Sequence, residues 1–472
     1  MVRVVEIGLG IPVDVGIIHE GARIRGPDMY IEFGGVNTQF KFELVQVKPI
    51  KDVTDGKIEI IGPDIKDLKE GGTYPLGIYI EVAGEKLEKD LEGVIERYIH
   101  AYFNYIEGLM HINSRYDIWI RLSKNSYKKG LNSFKFIGLV LQRLFKAEFP
   151  IIESMQVTFV TDENKVHEMY SNAVKIYEKR DARARTLKDE DVSEFYGCTL
   201  CQSFAPTHVC IITPNRVSLC GSTNWFDARA AVRINPKGFN FKVEKGECLD
   251  PVKGEYAGVN EKVKEKSLGE VEHVYLHAFM GHPPTSCGCF EAIAFYIPEV
   301  DGVGVVNRDY RGPTVIGTPF ASLAAQTGGG KQTEGLVGIA VEYLRSPKFF
   351  QADGGWNRVV WLPASVKARV KNAIPVELID KIPTENDVKN LDELKKYLEM
   401  HNHPVVSGWK ASEVPLNATS VIEDTKGLVP VIEIPGLIPS TDVPPEGFKI
   451  VLKGVKIHCD AIVIKKAEKE KE

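Results

Sequence analysis

No apolar run in this chain is long enough to cross a membrane. The stretch FIGLVLQRLF, at 136–145, is broken by Gln142 and Arg143 well short of the roughly 18 residues that a membrane helix needs. A cationic surplus is missing as well: 59 lysines and arginines stand against 64 aspartates and glutamates, a net charge of −5. That excludes the electrostatic footprint of a nucleic-acid or anionic-membrane partner. The first residues, MVRVVEIGLGIPVDVG, lack the charged, apolar and small-residue zones of a secretory leader, so a cytoplasmic protein with reduced thiols is expected. Nucleotide fingerprints fail at required positions. Gly8 and Gly10 would need a third glycine where Val13 stands. Around the run TGGGKQTEG, Ala325 and Gln332 stand where a phosphate loop needs glycine and Ser or Thr, so it reads instead as a backbone loop packed against something large. No Ser-His-Asp or paired-carboxylate signature is present either.

What is present changes character along the chain. Residues 1–86 alternate apolar and polar between turn signals, as in DVTDGKIEIIGPD, and predict short strands. From 87 the period lengthens: Leu91, Val94, Ile95, Tyr98, Ile99 and Tyr102 recur at three and four, predicting one amphipathic helix over 87–113 with a buried aromatic stripe. A strand at 118–122, a helix over 131–147, a strand at 155–162 and a helix over 163–179 complete a mixed α/β domain, 1–180. The segment 179–194, KRDARARTLKDEDVSE, is densely charged and predicts an exposed connector. A second mixed α/β domain, 195–410, holds the cysteines, two short strands, a glycine-rich passage and a helix capped by Asn386. Residues 411–472, with proline turns and the hairpin FKIVLKGVKIHCDAIVIKK, predict a small C-terminal β extension. The expected fold class is α/β (α+β), multi-domain.

Cysteine is scarce, with eight in 472 residues, yet six of the eight lie in two places. In the first, Cys198 and Cys201 form a C-x2-C pair whose thiolates share one turn, and Cys210 and Cys220 can close the site. Four thiolates suit a structural zinc or an iron–sulfur cluster. Zinc ribbons usually pair two C-x2-C knuckles, and nine residues separate the second two cysteines here, which favours a cubane. The second place is Cys287-Gly288-Cys289. If the amides of Gly288 and Cys289 lose their protons, this tripeptide offers two sulfurs and two nitrogens in one plane, a field that suits Ni(II) or Cu(II). Glycine in the middle lets the backbone bend around the metal. The bland alternative is a pair of buried thiols. Cys248 and Cys459 read as ordinary thiols. His273 and His277 lack the glutamate of a zinc-protease helix and read as packing or surface residues. His208, inside the cluster loop, is a candidate hydrogen-bond donor to a cluster sulfur.

The runs CTLCQSFAPTHVCIITPNRVSLCG, TSCGCFEA, GGGKQT and FFQADGGWNRVVW together resemble the acetyl-CoA synthase family, its archaeal decarbonylase/synthase branch above all. The likeness extends from near the N-terminus to about residue 410, and all six cysteine positions agree. The resemblance implies a 4Fe–4S cluster on Cys198, Cys201, Cys210 and Cys220, and two nickel ions. Cys201, Cys287 and Cys289 would hold the proximal ion, where copper or zinc can enter when nickel is scarce. Both thiolates with the amides of Gly288 and Cys289 would hold the distal one. It further implies that Phe204 restricts access to the proximal metal. Trp119 would contact coenzyme A, with Arg121 as a phosphate partner. Cys201, Cys287, Cys289 and Phe204 are thus the implied catalytic residues. The implied reaction is an acyl transfer that condenses CO, a methyl group from a corrinoid iron–sulfur protein, and coenzyme A into acetyl-CoA, or the reverse, in company with carbon monoxide dehydrogenase subunits. Two departures from the bacterial enzymes bear on docking: the extra N-terminal domain is missing and residues after about 410 are added. The competing expectation is an iron–sulfur electron-transfer or scaffold subunit, which leaves Cys-Gly-Cys without a purpose.

Overall fold

The structure, a computed structural model, describes residues 10–412 other than Ser114. From residue 413 on, the expected C-terminal β extension, with Cys459, lies outside the described residues; its first two residues end a helix. Chain order runs β1 (Met29–Gly34), β2 (Lys41–Val47), β3 (Ile58–Ile61), β4 (Thr73–Tyr74), β5 (Leu76–Ala83), α1 (Glu92–Asn104), β6 (Leu109–Ile112), β7 (Trp119–Ser123), α2 (Lys124–Lys128), α3 (Phe134–Glu148), β8 (Ser154–Val160) and α4 (Glu163–Ala184). Two four-stranded sheets result, ordered β4-β1-β7-β6 and β2-β5-β8-β3. In the second, β5 is parallel to β2 and antiparallel to β8, which is parallel to β3. Period-two alternation decides its faces. Ile78 and Ile80 of β5 with Val157 and Phe159 of β8 enter a core shared with α1 and α3, while Leu44 and Val160 face α4 through Ala173 and Tyr177.

The remainder is again mixed. It comprises β9 (Glu194–Cys198), β10 (Cys210–Ile212), α5 (Trp225–Ile234), β11 (Asn240–Glu244), β12 (Cys248–Asp250), β13 (Glu255–Tyr256), α6 (Ala257–Lys266), β14 (Ala292–Ile297), β15 (Gly302–Asn307), α7 (Phe320–Thr327), β16 (Leu336–Ile339), β17 (Val359–Trp361), α8 (Ala364–Val370), α9 (Leu391–Met400) and α10 (Val406–Ser412). Its sheets run β10-β9-β11, β12-β13 and β16-β14-β15-β17. The mixed α/β class expected from the sequence is the class observed, with ten α-helices among the described residues.

Three local expectations change. The helix predicted over 87–113 stops at Asn104, whose side chain bonds both backbone groups of His111 (2.8 and 3.0 Å). Gly108 then turns at φ +76°, so Met110 lies in β6. The later helix is capped by Asn390, not Asn386: its side chain accepts from Glu393 N at 2.9 Å. The charged segment 179–194 is no solvated connector. Helix α4 runs into it, Arg180 pairs with Glu92 and Glu96 (2.6 Å each), and Asp189 is buried on His277 (2.9 Å). Charge density alone could not reveal this, because each of these partners comes from a distant stretch of the chain.

Arg115 and Asp181 form the most testable of these ion pairs. Arg115 is 2% exposed, and its Nη1 lies 2.9 and 3.1 Å from the two carboxylate oxygens. Arg115→Ala leaves a buried carboxylate without its partner and is expected to cost about 3–5 kcal/mol of stability, read as a lowered denaturation midpoint.

Candidate metal centre

Strand register brings together two of the first four cysteines. Cys198 on β9 stands opposite Cys210 on β10, so both side chains share one face. The chain leaves β9 into the tight turn Leu200–Ser203, which carries Cys201. Backbone N–H groups of Leu200 and Leu219 donate to the sulfurs of Cys198 and Cys210, and Ser218 Oγ lies 3.3 Å from Cys220 Sγ. Burial pushes the Cys198 thiol up to about 11 and raises Cys210 as well. Thiols held in this way keep their protons unless a cation displaces them.

The second group closes on the first. The sulfurs of Cys201, Cys287 and Cys289 lie within 4.8 Å of one another, and all three residues are buried. The three hydrogen-bond mutually, which holds Cys289 well below the ordinary thiol range and Cys201 well above it. The Cys289 amide points at Cys287 Sγ (3.3 Å), so a backbone nitrogen and a sulfur of the tripeptide turn toward one locus. A convergent set of buried soft donors is chemistry that a soft metal ion satisfies.

Helix α1 supplies what surrounds these sulfurs. Arg97, 4% exposed, donates from Nη2 to Cys201 Sγ at 3.1 Å. One turn on, His100 Nε2 lies 3.6 Å from Cys289 Sγ. Its Nδ1 meets His111 Nδ1 at 3.0 Å, and His111 bonds Glu43. Burial lowers His100 to about 3, so the ring is neutral. Neither α1 residue was picked out by the sequence, because Arg97 and His100 interrupt an aromatic stripe that reads as ordinary core. Arg308, just beyond β15, was missed for the same reason: a lone arginine after a strand carries no signal.

A cavity of about 410 Å³ opens onto the centre, lined among others by Glu20, Trp119, Phe204, Gly288, Cys289 and Arg308. The Phe204 ring lies across Gly288, 3.5 Å from where a β-carbon would stand. Trp119 Nε1 and Arg121 Nε both donate to Glu32 Oε2 at 2.7 Å, and the guanidinium lies 4.7 Å from the indole centroid. Arg121 also bonds Ile24 O (2.9 Å) and stands behind Trp119 rather than among the lining residues. His208 is buried against Thr285 Oγ1 (3.0 Å). His273 and His277 lie on irregular backbone, the first on Glu255 and the second on Asp189, and Cys248 is exposed.

Comparisons with known proteins agree over the whole described region. The family profile described as CO dehydrogenase/acetyl-CoA synthase complex beta subunit matches residues 11–166, and the profile for the C-terminal part of the ACS/CODH beta subunit matches 177–408. The acetyl-CoA decarbonylase/synthase complex subunit beta of Methanopyrus kandleri is 51% identical over 98% of both chains. Subunit beta 2 of Methanocaldococcus jannaschii is 53% identical over 97% of both, and subunit beta 1 of Methanosarcina thermophila is 47% identical over 98% of this chain and 99% of its own.

Because Cys289 lines the cavity, a small alkylating reagent should label it in metal-free protein and fail once nickel or zinc is bound. Exposed Cys248 should label in both cases. Peptide mass mapping reads the difference, and equal labelling of Cys289 with and without metal would count against a metal centre here.

Proposed function

The chain belongs to the acetyl-CoA decarbonylase/synthase complex subunit beta family, and from that premise we propose that it carries the acyl-transfer site of such a complex. Its relatives are named as subunits of an enzymatic complex, so partner subunits come with the family. On our reading the partners are carbon monoxide dehydrogenase subunits and a methylated corrinoid iron–sulfur protein, and the substrates are CO, a methyl group and coenzyme A.

The observation that supports this is the convergence of Cys201, Cys287 and Cys289 within 4.8 Å beside the cavity. Cys198, Cys201, Cys210 and Cys220 would hold a 4Fe–4S cluster. Cys201 would be shared with a proximal nickel also held by Cys287 and Cys289, and the tripeptide's sulfurs and amide nitrogens would hold a second nickel. When bound, these metals supply the electron-rich centre at which CO and a methyl group are joined and passed to the thiol of coenzyme A, or the reverse.

The chain's own residues then have separate tasks. Phe204, half-buried across Gly288, narrows the approach and excludes water. Trp119 offers its indole to the coenzyme from the cavity wall, with its N–H fixed on Glu32 and its ring backed by Arg121. On this geometry Arg121 acts through the placement of Trp119 more directly than as a phosphate ligand. The Arg97 guanidinium offsets negative charge on the sulfur that both metal sites share. No side chain needs to act as acid or base in forming the carbon–carbon bond.

Anaerobically prepared protein should contain two nickel and four iron per chain and exchange the carbonyl of acetyl-CoA with CO. Cys287→Ala should abolish exchange while retaining iron. Iron without nickel after reconstitution, and no exchange, would make the chain an electron-transfer subunit instead.

A further inference from the structure

The glycine run that fails as a phosphate loop packs against the Cys-Gly-Cys turn. Gly329 N donates to Cys287 O at 2.9 Å, and Gly330 N donates to Ser286 O at 2.8 Å. Glycine is required for this approach. A β-carbon at Gly328 would stand 2.5 Å from Cys287 O, and Gly330, at φ +84°, would meet Thr207 Oγ1 at 2.6 Å. From another direction, Arg308 Nη2 donates to Gly288 O at 2.7 Å and to Phe290 O at 3.0 Å. Its guanidinium lies 5.1 Å from the Phe320 ring centroid, and its backbone N bonds Glu291 O at 3.0 Å, so the donor is held in place before any metal arrives. Both peptide carbonyls of the tripeptide therefore accept donors of fixed position.

Those two oxygens are the ones that matter for nitrogen ligation. The Cys287 carbonyl shares its peptide unit with Gly288 N, and the Gly288 carbonyl shares its unit with Cys289 N. When a metal ion binds such a nitrogen, the N–H bond breaks, the proton passes to water, and a metal–nitrogen bond forms. The negative charge left on the peptide is spread by amide resonance onto the carbonyl oxygen. A donor already aimed at that oxygen stabilises the charge without reorganising, and a guanidinium does so more strongly than a neutral N–H.

We propose that Arg308 and the Gly329 amide are positioning residues that stabilise the nitrogen-ligating form of Cys287-Gly288-Cys289. They thereby select a metal that takes two sulfurs and two amide nitrogens in a plane, such as nickel, over zinc, which takes the thiolates alone. This inference rests on the reading that the tripeptide holds nickel. It assigns a task to the glycine loop and to Arg308, neither of which carries chemistry of its own.

The test uses the full chain with its iron–sulfur cluster in place, titrated anaerobically with nickel against a competing chelator and, separately, with zinc. Nickel binding is also followed by the ligand-field absorption of planar nitrogen–sulfur coordination. For Arg308→Gln, nickel affinity should fall roughly ten- to hundredfold and the band should weaken, while zinc affinity and iron content stay near wild type. Gly328→Ala, which forces the loop off Cys287 O, should act in the same direction. If Arg308→Gln also loses its iron, Gly328→Ala alone is read by the same criteria. Wild-type band and affinity in these variants, or equal losses for nickel and zinc, would overturn the inference while leaving the nickel reading intact. A wild-type protein that never shows the planar band would overturn the nickel reading, and this inference with it.

Discussion

Gathering cysteine sulfurs inside protein is the constraint on which the rest of this structure depends. A buried thiolate loses its hydration and is tolerated only with a cation or donors around it. Here the Cys201 sulfur has the Arg97 guanidinium, and backbone amides reach Cys198 and Cys210. Arg97 is itself buried, so once a cation displaces the Cys201 proton, charge on that sulfur and charge on the guanidinium each make the other less costly. Removing either leaves its neighbour stranded, so α1 and the cysteine loops form one electrostatic unit although they lie far apart in the chain.

That coupling explains the place of the first half of the chain. Sheets and helices up to α4 bury a core whose product, at the centre, is the face of α1 that carries Arg97 and His100, one turn apart. The same half delivers Trp119 from the edge of β7, oriented by Glu32 of the neighbouring β1. The buried pairs Arg115–Asp181 and Arg180–Glu96 hold α4 against these elements. A segment that reads as an exposed connector is thus part of the frame around the site.

Much of the fold and of the candidate site was legible without coordinates, and where legibility stopped is instructive. Helices α3 and α4 and strands β7 and β8 were readable because their periodicity is local. The helix over 87–113 was read too long because a strand with apolar spacing follows directly, and only the Asn104–His111 bonds and the Gly108 turn separate the two. The six cysteines stood out because thiols so scarce are rarely so concentrated. Arg97, His100 and Arg308 did not, since each is a single polar residue whose meaning lies in a sulfur or carbonyl far away in the chain.

The sequence by itself determined the inventory of soft ligands, their spacing within each loop and the glycine that lets the Cys-Gly-Cys turn bend. These are properties of contiguous residues and follow from covalent geometry. It also determined the family, because the spacing and the residues between the cysteines are specific. Only the tertiary structure decided that Cys201 meets Cys287 and Cys289, that a guanidinium faces the Cys201 sulfur, and that a glycine loop and Arg308 grip the two carbonyls of the tripeptide. Those contacts join distant segments, and their energies come from burial and register, which no local pattern encodes.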